Sequence, residues 1–386
     1  MDSTPHSEGS KSSMASAYTL PKNPILSYRT LVGFTGAMGG LLFGYDSAGV
    51  GSVLIQMKAP RSEGGLLKGG LSSLEQSAVV STMLGGAFIG ALLAAYLNYK
   101  IGRKGVLISA SATYMVGVSL MAIAGFVHNF VLMLIARVIC GFAIGFASST
   151  TPLYIGECGH PKYRGSMIFL NDCCIVIGQC LAAGISSLFV GLNVHGGWRY
   201  VLMFGALPAL LMFIMFLWQM PESPRWLVSK GKITKARQVM DALRQGEDAR
   251  DMVHNEVEAI IEEVGSETNV RHTWSMYFTD RRIYRPLRLG MFLQTIQQWV
   301  GINTLMYYGS LVLSKSLSGN DDTDEEKNDP FSKTNKLAVY LTIPLAAAQM
   351  VGIVGSMFFV DKWGRRPMLF GSLIMAAACL IAMGFA

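Results

Sequence analysis

The stretch YKIGRKGVLISASA at residues 99–112 returns, altered but legible, as DKWGRRPMLFGSLI at residues 361–374. Each copy is a glycine followed by two basic residues, and each joins two long apolar runs. A short basic turn recurring between apolar runs in two distant parts of the chain points to duplicated halves. Duplication of this kind is detectable as weak internal symmetry in membrane proteins built from repeats. The fold is therefore decided by what flanks these two turns.

The flanks are lipid-soluble. Hydrophobic residues make up 51% of the chain and charged residues 15%, against about 25% charged in a soluble domain. The apolar residues come as continuous runs rather than in alternation. Candidate spans fall at about 30–50, 76–98, 106–127, 130–151, 168–190, 200–219, 289–313, 337–360 and 367–386. Each approaches the ~20 residues that a helix needs to cross the hydrocarbon core. The two basic turns then occupy matching places, after the second and the eighth span.

The rest of the organisation follows. Residues 1–28 are polar and Ser-rich with no apolar stretch, which reads as a disordered tail rather than a signal peptide. Residues 29–220 are expected to form a six-helix bundle, 221–288 a polar linker with amphipathic helices, and 289–386 a partial second bundle. In the linker, KITKARQVMDALRQ and HNEVEAIIEEV carry apolar residues at helical spacing. The net charge of +7 implies no nucleic acid, because the basic residues gather where the positive-inside rule places them. Lys100, Arg103 and Lys104, then Lys162 and Arg164, then twelve basic residues across 221–288, then Lys362, Arg365 and Arg366 share one side. The opposite loop after the seventh span is acidic, with Asp321, Asp322, Asp324, Glu325, Glu326 and Asp329, and only Lys58, Arg61 and Lys68 run against the trend. That asymmetry predicts an integral multi-pass protein with a cytoplasmic N-terminus. The six cysteines include no CxxC pair and read as small packing residues, not disulfides or metal ligands.

Within the spans, a few polar residues stand out. Asp46 lies in GGLLFGYDSAGVGSVLI (39–55) and Arg137 in LIARVICGFAIGF of the fourth span. An ionisable group inside a span costs on the order of 2.5–3.5 kcal/mol on insertion scales and so faces a partner or a wet cavity. The two are expected to pair. Two roles stay open: a proton site that switches conformation, or a fixed pin between helices. Gly86 and Gly90, and Gly141 and Gly145, have the spacing that lets helices approach closely. In the seventh span, TIQQWVGINTLMYYG places Asn303 and Tyr307 on one helical stripe, with Gln297 and Gln298 near it. Neutral amides both donate and accept, which suits the hydroxyls of an uncharged polyol. Gln179 and Gln349 are expected to join them.

These segments, taken in order, resemble the sugar porter family of the major facilitator superfamily. The matching motifs run from residue 39 to residue 366: GGLLFGYD, IGRKG, RVICGFAIGFAS, TPLYIGECGHPKYRG, PESPRWL, QQWVGIN with its following YY, and DKWGRRP. The resemblance implies an all-α membrane protein, a major facilitator-like helical bundle with a complete six-helix first half and about three helices of the second. It implies proton coupling through Asp46 and Arg137. It implies sugar contacts at Phe43, Gln179, Gln297, Gln298, Asn303 and Tyr307. It implies a cytoplasmic gate network of Arg103, Glu157, Arg164, Glu222, Arg225, Asp361, Arg365 and Arg366. Two positions depart from the family pattern: Tyr99 replaces Asn or Asp before the first basic turn, and Gln349 replaces an Asn. The family's last three spans have no counterpart within the 386 residues.

The expected activity is secondary active transport of a small neutral sugar or polyol, by proton symport with alternating access, across what is expected to be the plasma membrane. The expected partners are the cargo, protons and the lipid bilayer, with no cofactor and no metal. A quinate-like acid, inositol or a secondary metabolite are alternative cargoes. A non-transporting sensor or an inactive truncated fragment is the alternative class. An enzyme is not expected: no metal-binding His/Glu spacing, no G-x-S-x-G and no phosphate-binding G-x-x-x-x-G-K-[ST] occurs, and His195 reads as a solvated loop residue.

Overall fold

Long apolar runs have one way to satisfy their backbone in lipid, which is to coil. The computed structural model describes residues 28–159, 164–244, 249–269, 280–318, 329 and 331–385. The polar tail and the acidic residues 321–326 lie outside this set. The described chain is helical. In order, α1 spans Tyr28–Lys58, α2 Ser73–Val127, α3 Phe130–Cys158, α4 Arg164–Gly191, α5 Trp198–Phe204 and α6 Ala206–Trp218. The linker forms α7 (Pro224–Ser229), α8 (Ile233–Leu243) and α9 (Ala249–Asn269). Then come α10 (Arg281–Trp299), α11 (Ile302–Leu317), α12 (Lys333–Tyr340), α13 (Thr342–Trp363) and α14 (Arg365–Phe385).

Among the described residues, six helical runs are long and apolar enough to cross a membrane. One of them, Ser73–Val127, is 55 residues long, far beyond the length of a single crossing. It holds the second and third expected spans, separated where Gly102 leaves helical geometry at φ 85°. The chain turns there because glycine alone tolerates that backbone and that spacing. A Cβ on Gly102 would sit 2.5 Å from Glu222 Oε2. The echoed turn behaves alike: Gly364, between α13 and α14, has φ 81°. The repeat read in the sequence is thus also a repeat of positive φ at its glycine.

The seventh span departs from expectation. The run 289–313 is not one helix: α10 ends at Trp299, and Gly301, left-handed at φ 81°, starts α11. The ninth span is the shorter apolar stretch Arg366–Ala382 within α14.

Packing follows the small residues. α2 and α3 lie against each other along the Gly86–Gly90 and Gly141–Gly145 faces. A Cβ on Gly90 would stand 2.6 Å from the Phe142 carbonyl, and one on Gly141 would stand 3.0 Å from the Gly86 Cα. α1 packs on α4, and the later helices reach the first bundle by α11 on α1 and by α12 and α13 on α4. Exposed Phe88, Leu92, Phe126, Trp218, Phe358 and Phe370 face outward from the bundle, as a lipid-solvated surface requires. On the linker, α8 buries Ala236, Val239, Met240 and Leu243, and α9 buries Val253 and Val257. All six cysteines are free thiols.

Candidate functional site

The centre of the bundle holds the expected pair. Arg137 Nη1 donates to Asp46 Oδ1 at 2.9 Å and to Oδ2 at 3.1 Å, and both side chains are 1% exposed. The remaining guanidinium nitrogens are also engaged: Nε donates to the Val79 carbonyl at 3.0 Å and Nη2 to the Met83 sulfur at 3.0 Å. Tyr114 donates weakly to Asp46 Oδ1 at 3.4 Å. α1 supplies the acid, α3 the base, and α2 the surrounding acceptors and the tyrosine. Close α2–α3 contact through glycine brings the Val79 carbonyl within reach of a side chain on α3.

The pair lies next to the seam between the two sets of spans. Tyr307 of α11 is buried and donates to the Met83 sulfur at 3.9 Å. One thioether therefore touches both the guanidinium and a tyrosine of the later helices. A little further along the seam, Ser310 of α11 donates a short hydrogen bond to the Gly51 carbonyl of α1. Beside this contact is a small cavity of about 20 Å³ lined by Ser52, Gln179, Met306, Ser310, Thr342 and neighbouring apolar residues, room for about one water.

The expected cargo residues are only partly gathered. Gln179 lines that cavity, and its Oε1 finds no partner among the described residues. Gln349 lies one turn beyond Ala346, a cavity-lining residue of α13, and its Oε1 is likewise unpartnered. Two amide oxygens from opposite sides of the seam thus lack hydrogen-bond donors, which a hydroxylated ligand would supply. Phe43 is half-buried against the core three residues before Asp46. Asn303 is half-buried and donates to Gln298 Oε1 at 2.8 Å. Gln297 and Gln298 are exposed. The continuous stripe expected through these residues is broken, because Gly301 changes the helix phase between Gln298 and Asn303. Met83 and Tyr114 were missed in the sequence. Tyr114 had a signal, a phenol inside an apolar span; Met83 had none, since a methionine in a span reads as packing.

Three members of the expected gate network, Arg103, Glu157 and Glu222, gather around the first basic turn. Glu157 accepts from Arg103 Nη2 at 2.6 Å and from Ser223 Oγ at 2.5 Å. Glu222 accepts from the backbone N–H of Lys104 at 3.1 Å and of Ser223 at 2.9 Å. Burial pushes the Glu222 carboxyl above the ordinary carboxylate range, and those backbone N–H groups pull back against it. Arg225 pairs with Glu263 of α9 at 3.4 Å. The side chains of Arg164, Asp361 and Arg365 lie outside the described set, and Arg366 is exposed. Tyr99, the departure from the family pattern, serves the linker: its carbonyl accepts from Trp226 Nε1 at 3.1 Å, and Lys230 Nζ stands 4.0 Å above its ring.

Spans in two sets, a buried acid–base pair next to their seam and an unpartnered Gln179 oxygen beside a cavity between them define the class: an integral multi-pass carrier-like bundle. Comparison with known proteins agrees. The family described as "Sugar (and other) transporter" matches residues 32–386, and the chain belongs to that family. It is 35% identical over 354 residues to the human proton myo-inositol cotransporter, covering 90% of this chain and 50% of that protein. It is 32% identical over 352 residues to the arabinose-proton symporter of Escherichia coli K12, covering 91% and 67%. The structure of the proton:xylose symporter XylE bound to 6-bromo-6-deoxy-D-glucose superposes with a TM-score of 0.68 at 25% identity, covering 88% of this chain and 71% of that one. The chain spans 50–59% of the length of the inositol transporters it matches.

Proposed function

We propose that this protein is a secondary active transporter that carries a small neutral sugar or polyol together with a proton. The observation that carries the proposal is the arrangement at the seam. A buried Asp46–Arg137 pair touches Met83, and Met83 touches Tyr307 of the opposite set of spans. Protonating Asp46 removes one charge of the pair and leaves Arg137 anchored by the Val79 carbonyl and the Met83 sulfur, which alters the load on the sulfur that Tyr307 touches. The cargo's hydroxyls would satisfy the Gln179 and Gln349 oxygens when the seam widens, with Phe43, Gln297, Gln298, Asn303 and Tyr307 completing the site. The names of the relatives support a polyol, inositol included, as cargo. Rocking of the two sets of spans would alternate access, with the Glu157–Arg103–Ser223 cluster holding the linker end closed. The basic linker side is assigned to the cytoplasm and the membrane to the plasma membrane on the same reading. No chemical change in the cargo is part of it.

The test is uptake of labelled myo-inositol and of xylose into proteoliposomes with and without an inward proton gradient. Gradient-driven accumulation is expected for the native protein. Asp46→Asn is expected to abolish accumulation while leaving counterflow exchange. Gradient-driven accumulation unchanged in Asp46→Asn would overturn the proton role, and cargo binding without any uptake would favour the sensor reading.

A further inference from the structure

A larger cavity lies away from the ion pair, at the end of the bundle opposite Glu157. It has a volume of about 310 Å³ and is lined by Lys58, Ser73, Gln76, Ser77, Tyr308 and Lys315, with two apolar residues of α11. Ligand pockets begin at about this size. Lys58 ends α1 and Lys315 lies in the last turn of α11, so the two ammonium groups come from opposite sides of the seam. Neither has a carboxylate partner among the described residues. The first turn of α2 adds the positive end of its dipole beside Ser73. Its one carboxylate, Glu75, is committed to the Ser72 backbone N–H and hydroxyl, each at 2.8 Å.

We infer that this cavity is a second ligand site, for a polyol bearing a carboxylate, whose anionic end bridges Lys58 and Lys315. Like charges across a seam oppose its closure, and an anion between them removes that opposition. Gln76 and Ser77 already donate to the Leu71 and Ser73 carbonyls, so their oxygens are left to accept from a polyol's hydroxyls, while the apolar wall on α11 takes its C–H face. Occupancy joins α1 to α11 and so holds this end of the seam shut, which slows turnover of the neutral cargo. The site shares no residue with the Asp46–Arg137 pair, so it stands apart from the proposed proton coupling.

Glucuronate, glucose and acetate serve as probes of the purified full chain, read by ligand-dependent thermal stabilisation and by isothermal titration. Glucuronate is expected to bind about threefold to tenfold tighter than either glucose or acetate, as two partly exposed charge contacts of ordinary strength would give. That excess is expected to shrink as salt rises. Lys58→Gln/Lys315→Gln should remove the excess and leave the glucose response intact, which also shows that the variant is folded. Lys58→Arg/Lys315→Arg should keep it, and so should Asp46→Asn. Glucuronate should slow labelled inositol uptake in the native protein and not in the double Gln variant. Glucuronate no tighter than acetate would overturn the polyol assignment, and no tighter than glucose would overturn the anion site. An excess surviving in the double Gln variant would place the ligand elsewhere.

Discussion

Arg137 has no idle nitrogen: each of its three donates, two of them outside the ion pair. That makes the pair asymmetric. Removing the arginine leaves a buried unpaired carboxylate, whereas neutralising the acid leaves an arginine still held by α2. Arg137→Met is therefore expected to destabilise the protein by about 3–5 kcal/mol, and adding Asp46→Asn should recover most of that loss. Detergent-phase unfolding of the single and double variants measures it. Met83 is the complementary case. Met83→Leu conserves volume and should cost less than about 1.5 kcal/mol, yet it deletes the acceptor shared by Arg137 and Tyr307. The expected result is normal expression and a displaced pH profile of uptake; an unchanged profile would show that the sulfur only fills space.

Glycine placement governs the elements. Gly102 is held at a positive φ with the Glu222 carboxyl where a Cβ would stand, so Gly102→Ala meets both strain and a collision. A loss on the order of 1–3 kcal/mol is expected, read as a lowered unfolding midpoint. Glu222 itself is half-buried, and desolvation raises its carboxyl, so the folded state binds this proton more tightly than the unfolded one. Stability from this group is greatest at low pH and falls as pH climbs from about 4.3, the unfolded value, through the raised folded value. Glu222→Gln should flatten that slope. At the linker, Arg244 caps the end of α3 by donating to the Gly159 carbonyl at 3.2 Å, while Glu256 of α9 grips it at 2.9 Å. Arg244→Ala should speed hydrogen exchange in α8 and α9 and leave the spans protected.

Across the whole molecule, the two sets of spans meet where α11 lies on α1 and where α12 and α13 lie on α4, with a short hydrogen bond from Ser310 to the Gly51 carbonyl among the described residues. If rocking opens this seam, locking it should stop the cycle. A Ser52→Cys/Ser310→Cys pair, two positions that line one cavity across the seam, in a background lacking the six native cysteines is expected to lose uptake when joined by a short thiol-reactive cross-linker and to regain it when the linker is reduced. Uptake indifferent to the cross-link would place the moving contact elsewhere. The repeated basic turn was legible at this scale because glycine and arginine at fixed offsets are local signals. The amide cluster was less so: Asn303 and Tyr307 share α11, but across the break at Gly301 Gln297 and Gln298 are exposed, Gln298 keeping only its hydrogen bond from Asn303, and a phase change across one glycine leaves no trace in spacing.

Composition and chain order sufficed for an all-helical membrane bundle, its duplicated turns, the glycine faces of α2 and α3, and the pairing of Asp46 with Arg137. Each of these follows from a local cost: an unsatisfied backbone in lipid, a Cβ in a close contact, a lone charge in a span. Folding alone decided that Met83 would bridge Arg137 and Tyr307, that Gln179 and Gln349 would keep unpartnered oxygens, and that Lys58 and Lys315 would face one cavity. Those residues lie far apart in the chain, and their meeting depends on how helices pack, a property of shapes summed over the molecule rather than of any one segment.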